Sequence, residues 1–356
     1  MTHRLHDFAA LGLDYLIIGG GTAGLAVAAR LSEDPQVQVG VVEAGPSALN
    51  HEDGGVITIP GRYGETLGSA YDWQFATVAQ PGLGGRSLPW PRGRVLGGTS
   101  ALNFMAWNRG HRADYDAWIV SPKEYADLYT HAKSIAQKTG RPHDELLARQ
   151  FSPDSKGRGQ IEYLFDLGNW SPYFTSEPGK KYATMLQMLQ YPFSRGSIHI
   201  PPRNSESAET SPITVDDKPV IDPQYFLGPG EIDRKILAMA QRLTDRICQT
   251  PPLTGLVQGR VFPPSDNIRS DDETYGDFVS NYTITDWHPI GTCAMGGRDG
   301  AQTGVVDERL RVYGVRGLRV VDASIMPLQV GAHIQATVYA IAEKGAAMIQ
   351  EDMLQV

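Results

Sequence analysis

The sequence has few cysteines, no long apolar run and no excess of basic residues. Its two cysteines, Cys248 and Cys293, are far apart and neither belongs to a CxxC pair, so the sequence supports neither a disulfide framework nor a zinc site. A net charge of −8 argues against nucleic acid and anionic membranes as partners. No stretch reaches the roughly 18 consecutive apolar residues that span a bilayer, and the N-terminus lacks the apolar core of a secretory signal. We therefore expect a cytoplasmic protein without a metal.

The first ordered unit of the chain reads as strand, turn, helix and strand. Residues 14–18 are apolar with β-branched members, and a glycine-rich turn follows at 19–24. An alanine-rich segment over 25–31 predicts a helix, and residues 37–42 predict a second strand. This order is the first βαβ unit of a doubly wound parallel sheet.

The turn carries the spacing of a dinucleotide-binding site. Gly19, Gly21 and Gly24 allow a tight turn and a close approach of the backbone to a pyrophosphate at the helix N-terminus. Glu43 follows about 20 residues later, where an acceptor for a ribose hydroxyl is expected. The context favours dinucleotide binding over a purely structural glycine turn. It does not separate NAD from FAD.

The middle of the chain has a different pattern. Ser121-Pro-Lys-Glu124 is a capping box that predicts a helix ending before Gly140, and an apolar stripe predicts a second helix over 231–248. Short apolar segments at 196–200, 213–215 and 220–221 predict strands of a small antiparallel sheet. We interpret this region as a substrate domain.

The last part of the chain returns to the first pattern. Residues 317–322 predict a buried strand that ends in an acid, and residues 334–349 predict a largely apolar helix. Both belong most naturally beside the first βαβ unit. The nucleotide-binding lobe is therefore predicted to be discontinuous in sequence.

A second glycine cluster makes the sequence more specific. Arg92-Gly-Arg-Val-Leu-Gly-Gly-Thr-Ser-Ala-Leu-Asn103 lies too far from the first unit to serve the same phosphate. It resembles the second signature of the glucose–methanol–choline (GMC) oxidoreductases, in which a glycine-rich turn passes beside the flavin. That resemblance implies FAD as the cofactor. The residues expected to bind it are Gly19, Gly21, Thr22, Ala23, Gly24, Glu43, Thr99, Asn103, Phe104, Ala106, Trp287, Asp322, Ala323 and Ile334.

The third signature contains the candidate catalytic residues. His288 in Trp287-His-Pro and His333 in Ala332-His-Ile are similar to the catalytic pair of that family. Oxidising an alcohol requires removal of the hydroxyl proton while a hydride leaves the carbon, and an imidazole is suited to take that proton. We expect His288 to be the general base, His333 to be its partner, and the substrate to be a small-molecule alcohol.

The chain departs from the family in length. GMC proteins carry a long stretch after the segment that matches 111–118, including a strand of the central sheet, and we find no counterpart here. Trp118-Ile-Val-Ser121 reads as a junction. We expect the absent strand to leave a gap in the sheet with exposed apolar surface, unless a local segment such as 161–167 fills it.

These observations predict an α/β protein with a shortened chain. An FAD-binding, doubly wound (Rossmann-like) lobe is expected from residues 1–118 and 286–356, and an α+β substrate domain with an antiparallel sheet from residues 119–285. The predicted function is FAD-dependent oxidation of a CH–OH group by a dehydrogenase or an oxidase. The alternatives are a non-redox acid–base role, such as a cyclisation in secondary metabolism, and an inactive truncated form.

Overall fold

A computed structural model describes residues 8, 10–48, 55–108, 122–152, 159–201, 213–264 and 272–354. The predicted junction at Trp118–Ser121 lies outside these residues. The described helices are α1 (Thr22–Leu31), α2 (Gly55–Thr58), α3 (Pro122–Thr139), α4 (Pro142–Gln150), α5 (Glu231–Cys248), α6 (Asp272–Tyr282) and α7 (Gln335–Met353). The described strands are β1 (Tyr15–Ile18), β2 (Val39–Val42), β3 (Phe75–Ala76), β4 (Pro89–Trp90), β5 (Ile161–Asp166), β6 (Thr184–Leu189), β7 (Ser197–His199) and β8 (Val220–Asp222). No described helix is both long and apolar enough to cross a membrane.

The two ends of the chain share one core. Ala23, Val27 and Leu31 recur every four residues along α1, so they form one buried face of that helix. This face packs against buried residues of α7, among them Ala342 and Ala346. The predicted helices at both ends are confirmed, and their packing brings the C-terminal segment onto the first βαβ unit.

Strands β1 and β2 form a two-stranded parallel sheet, and the outer edge of β1 is paired with no described strand. Tyr15 N–H and Gly19 N–H donate to carbonyls of the β2 side, at Gln38 and Val42. Because amides alternate along a strand, those of Leu16 and Ile18 face the other way. Among the described residues no strand pairs with that side. Leu16 and Ile18 are 54% and 81% exposed, so this edge is uncovered in the part of the chain that the structure describes, in agreement with the gap expected from the sequence.

The segment that could have filled this gap lies elsewhere. Strand β5, which covers most of 161–167, pairs antiparallel with β6 from Ile161↔Leu189 to Asp166↔Thr184. Strands β7 and β8 also pair antiparallel. Antiparallel pairing therefore occurs in the middle of the chain, as predicted, and leaves the edge of β1 uncovered by these strands.

Helices α3, α4 and α5 build a second core. Leu128, Ala132 and Ile135 of α3 pack with Ile232 and Ile236 of α5. The prediction of both helices is confirmed, and the second has the predicted bounds. Cores of this kind contribute about 1.5–3 kcal/mol for each large apolar side chain that is fully buried.

Two predicted strands are wrong. Residues 213–215 are not a strand, because a turn begins at Thr214, whose amide and hydroxyl both donate to the Asp217 carboxylate. Such local side-chain bonds compete with strand pairing. Residues 317–322 are not a strand of the parallel sheet either. Val312 N–H donates to Leu318 O and Val320 N–H donates to Leu310 O, so this segment pairs with the preceding one through an isolated antiparallel bridge.

Candidate active site

A single cavity of about 2980 Å³ gathers the site residues predicted from the sequence. It runs from the first glycine turn to the C-terminal segment and on to the middle of the chain. All sixteen predicted residues line it: Gly19, Gly21, Thr22, Ala23, Gly24, Glu43, Thr99, Asn103, Phe104, Ala106, Trp287, His288, Asp322, Ala323, His333 and Ile334.

The two glycine clusters are in contact, which corrects the expectation that they serve separate places. Gly97 N–H donates to Gly20 O at 2.7 Å. A Cβ atom on Gly98 would lie 2.6 Å from the Cα of Gly21, so only glycine permits this approach. Separation along the chain was a poor guide because the second turn folds back onto the first.

The N-terminus of α1 fits the pyrophosphate of FAD. Gly21 is its N-cap and makes no side-chain cap, and no acidic residue occupies the first turn. The first amides of the helix therefore point outward without a side-chain acceptor, beside the positive end of the helix dipole. A Cβ atom on Gly24 would lie 2.1 Å from Gly19 O, so glycine there keeps the turn and the helix together.

Glu43 holds the turns around this helix end. Its Oε2 accepts a hydrogen bond from Gly20 N–H at 2.8 Å, and its Oε1 accepts one from Gly45 N–H at 2.9 Å. A carboxylate has about four acceptor positions, so two remain for a ribose hydroxyl. Glu43 thus has a backbone-fixing role in addition to the ribose contact that its position predicts.

The two predicted catalytic histidines are neighbours in space. The ring centroids of His288 and His333 lie 5.3 Å apart with the planes at 81°. His333 precedes α7 by two positions. His288 follows Trp287, whose φ of 57° is a left-handed conformation that bulky residues rarely adopt. Strain of this kind persists only where surrounding contacts enforce it.

Those contacts are visible around Trp287. Its carbonyl accepts a hydrogen bond from Arg92 Nη2 at 2.6 Å, and its indole N–H donates to Pro89 O. Burial lowers the pKa of Arg92 to about 10, so the guanidinium still carries its charge at neutral pH. The backbone beside His288 is therefore held by a buried cation.

Each histidine has its Nδ1 atom occupied. Asp286 Oδ2 lies 2.9 Å from Nδ1 of His288. A carboxylate only accepts, so the neutral ring carries its proton on Nδ1 and leaves Nε2 as a free acceptor. On the other ring, Nδ1 of His333 lies 3.2 Å from Asn108 Oδ1.

The orientation of Asn108 is set by a buried carboxylate. Asn108 Nδ2 donates to Glu162 Oε1 at 2.7 Å, and its Oδ1 accepts from the backbone amide of His333 at 3.1 Å. The amide oxygen therefore faces the His333 ring, so Nδ1 of that ring donates to it. Gln190 Nε2 donates to the second oxygen of Glu162, and this hydrogen bond compensates for the burial of the carboxylate.

Comparison with known proteins identifies the family. Residues 13–143 match the N-terminal part of the GMC oxidoreductase family and residues 192–342 match the C-terminal part, which together cover well over half of the chain. The chain belongs to the GMC oxidoreductase family. It is therefore a flavin-dependent oxidoreductase, and its cofactor is FAD, for which the helix N-terminus and the paired glycine turns are suited.

Its GMC relatives are longer. An uncharacterised GMC-type oxidoreductase of Mycobacterium tuberculosis is 25% identical over 530 aligned positions, which cover 95% of this chain and 99% of the relative. A dehydrogenase of Monascus ruber is 24% identical over 633 positions, which cover 99% and 98%. Both alignments exceed the 356 residues of the chain, so these relatives contain stretches that it lacks, as the sequence indicates.

The fold agrees with that of solved GMC flavoproteins. The crystal structure of pyridoxine 4-oxidase from Mesorbium loti superposes with a TM-score of 0.71 at 21% identity, covering 96% of this chain and 99% of the other. At this identity the likeness concerns the fold alone.

Sequence reasoning missed the groups that orient the two histidines. Asp286 lies two positions before His288, and this proximity was the only available signal. Asn108 follows the second glycine cluster by a few residues, and Glu162 lies in a strand that was considered only as a filler for the sheet. Neither residue belongs to a motif that points to a histidine.

Proposed function

We propose that this GMC protein oxidises a CH–OH group, with His288 as general base and His333 as the partner that holds the substrate oxygen. The observation that carries the proposal is the paired orientation of the two rings. Both Nδ1 atoms donate to fixed acceptors, and the rings lie 5.3 Å apart. Both Nε2 atoms are therefore available to one substrate hydroxyl group, whose single proton goes to Nε2 of His288.

The two histidines have different roles. Nε2 of His288 accepts the hydroxyl proton, and the Asp286 carboxylate stabilises the imidazolium that results. His333 holds the substrate oxygen as an imidazolium, whose Nε2–H donates to that oxygen while the Glu162 carboxylate lies 3.6 Å from Nδ1. FAD, when bound, supplies the acceptor for the hydride.

The surroundings of the rings support this assignment. Glu162 fixes Asn108 through a hydrogen bond of 2.7 Å, and Asn108 in turn fixes the orientation of the His333 ring through Nδ1 at 3.2 Å. The buried charge of Arg92 beside Trp287 favours negative charge that develops on the substrate oxygen. We further propose that residues 1–118 and 286–356 hold the cofactor, and that residues 119–285 contribute the walls around a small-molecule alcohol.

The test is anaerobic reduction of the purified flavoprotein by a panel of alcohols, followed by absorbance. Wild type should bleach, and His288→Ala should bleach at least about 100-fold more slowly while retaining its flavin, the usual loss for a general base. His333→Ala should also be slow, and the two losses should not add fully because the pair handles one proton. Retained flavin that no alcohol reduces would favour the non-redox acid–base alternative.

A further inference from the structure

The cavity is larger than a cofactor site needs. Pockets for small molecules and cofactors usually enclose about 300–1,000 Å³, whereas this one encloses about 2980 Å³. Part of its wall is the open side of β1, where Leu16 and Ile18 are exposed. The remaining volume is bordered by two groups of aromatic side chains.

The first aromatic group consists of Tyr63, Phe104, Trp170 and Trp287, all of which line the cavity. Phe104 is its centre, at centroid distances of 5.0 Å from Trp170 and 5.7 Å from Trp287. Tyr63 stacks on Trp170 at 6.1 Å with 18° between the planes. Because Trp287 precedes His288, this group reaches the catalytic pair. Phe104 and Trp287 are also expected to contact FAD, which leaves Tyr63 and Trp170 for the substrate.

The second aromatic group surrounds Phe262. Its ring stacks on Tyr173 at 5.4 Å and meets Tyr282 edge to face at 4.9 Å. Phe278 lies 5.6 Å away. These four residues line the same cavity. Aromatic surface is therefore available both near the histidines and farther along the wall.

The polar atoms of Trp170, Trp287 and Tyr173 already have partners. Trp170 Nε1 donates to Asp166 at 2.7 Å, and the hydroxyl of Tyr173 accepts from Arg86 at 2.9 Å. What the rings offer to a ligand is therefore mainly apolar surface. A sugar would gain few hydrogen bonds from these rings, and each hydroxyl group buried against them without a partner would cost about 1–3 kcal/mol.

The arrangement of the rings also disfavours a quaternary ammonium ligand. A cage for such a cation places ring faces on several sides of it, each within about 6 Å of the charge. Here the rings lie 5.0–6.1 Å from one another and touch, so they form a wall. A flat ring system can stack on a wall of this kind.

We propose that the substrate is a neutral alcohol carried on a flat aryl or multi-ring body that stacks on Trp170 and Tyr63. This inference rests on the proposed function, since its carbinol must reach His288 and His333. The reaction is the two-electron oxidation of the carbinol to a carbonyl, with the hydroxyl proton passing to His288 and the hydride to FAD. The class of product is thus an aryl or polycyclic aldehyde or ketone.

The first measurement is binding, which does not depend on turnover. 2-Naphthol has the ring system but no carbinol hydrogen, and its affinity for the flavoprotein can be measured by calorimetry. We expect Trp170→Leu to lower the affinity for 2-naphthol roughly tenfold or more, because the ligand loses a stacking partner and the apolar area buried against it. Trp170→Phe keeps a ring but loses the bond to Asp166, and it should retain most of the affinity. Trp107→Leu is the matched control, because Trp107 is exposed and packs against Tyr339 instead.

The second measurement is anaerobic flavin reduction by 2-naphthalenemethanol, cyclohexylmethanol, choline and glucose. We expect the aryl alcohol to react at least tenfold faster than the others. Equal or faster reduction by cyclohexylmethanol, choline or glucose would overturn the substrate class and leave the proposed function standing. Naphthol affinity that is the same in Trp170→Leu and wild type would overturn it as well. Naphthol binding that depends on Trp170, with no reduction by any alcohol, would support the aromatic site and contradict the proposed function.

Discussion

The carboxylate of Asp286 lies 2.9 Å from Nδ1 of His288, with one residue between them. That residue, Trp287, has a φ of 57°, and Arg92 and Pro89 hold its carbonyl and its indole N–H. The contact between Asp286 and His288 is therefore set by a strained backbone as well as by attraction between the groups. Because Asp286 is partly exposed, its contact with His288 contributes more to fixing the tautomer of that ring than to the stability of the fold.

Asp286→Asn tests this role. An amide can present its NH₂ group to Nδ1, which would move the ring proton to Nε2 and remove the base. We expect flavin reduction to slow at least about tenfold. The equivalent Asp→Asn change in a serine protease triad lowers the rate for the same reason, and by more. Substrate affinity should change little, and Asp286→Glu should recover part of the rate.

The control for that change is Asp277→Asn, which alters an exposed carboxylate on α6 that pairs with Arg234 of α5. It should leave the rate of flavin reduction unaltered. Equal rates in Asp286→Asn and wild type would show that the tautomer of His288 is fixed without Asp286.

Glu43→Ala should weaken FAD binding. The change removes acceptors for Gly20 and Gly45 together with the expected ribose contact. The concentration of added FAD needed to raise the melting temperature by a given amount should increase at least about tenfold. A ligand stabilises a protein according to the ratio of the ligand concentration to Kd. Glu33→Ala, an exposed change beyond the end of α1, should leave this concentration unchanged. An unaltered FAD titration in Glu43→Ala would contradict the assignment.

Adjacent isoleucines of β1 should respond differently to the same substitution. Ile17 packs against the core of α1 and α7, whereas Ile18 is 81% exposed. In the absence of FAD, Ile17→Thr should lower the free energy of unfolding by at least about 1 kcal/mol, because it buries a hydroxyl and loses apolar contact. Ile18→Thr should change it by less than about 0.5 kcal/mol. Urea denaturation measures both, and a large loss in Ile18→Thr would mean that this edge is covered in solution.

Asp233 should make stability depend on pH. Burial raises the pKa of this carboxyl from 3.8 to about 6, although Phe193 and Ser194 donate three hydrogen bonds to it and Arg195 lies nearby. The native state then holds the proton more tightly than the unfolded chain does, so stability falls as pH rises from 3.8 to about 6 and is level above that. The decline is on the order of 3 kcal/mol.

The difference between wild type and Asp233→Asn isolates this contribution from that of other carboxyl groups. Asparagine does not titrate, so the variant should be less stable overall and should lack the decline between those two pH values. Parallel stability profiles for the two proteins would show that the Asp233 carboxyl keeps an ordinary pKa.

The parts of the fold that depend on local pattern were predictable. Helix α5 has the predicted bounds, 231–248, because an apolar stripe at helical spacing identifies a buried face without knowledge of its partner. Residues 317–322 were mistaken for a strand of the parallel sheet because a strand also needs a neighbour, and the sequence does not say whether one is present. The contact between Glu162 and Asn108 was not predictable, since it joins the substrate region to the second glycine cluster.

The open edge of β1 bears on how the protein behaves before it is loaded with FAD. No described strand pairs with its amides and carbonyls, which lie next to exposed Leu16 and Ile18 and can act as a template for the same segment of another molecule. Self-association through this template grows with concentration, whereas FAD binding at the adjoining Gly19 turn favours the folded, separate molecule. Added FAD should therefore lower the tendency of the protein to self-associate.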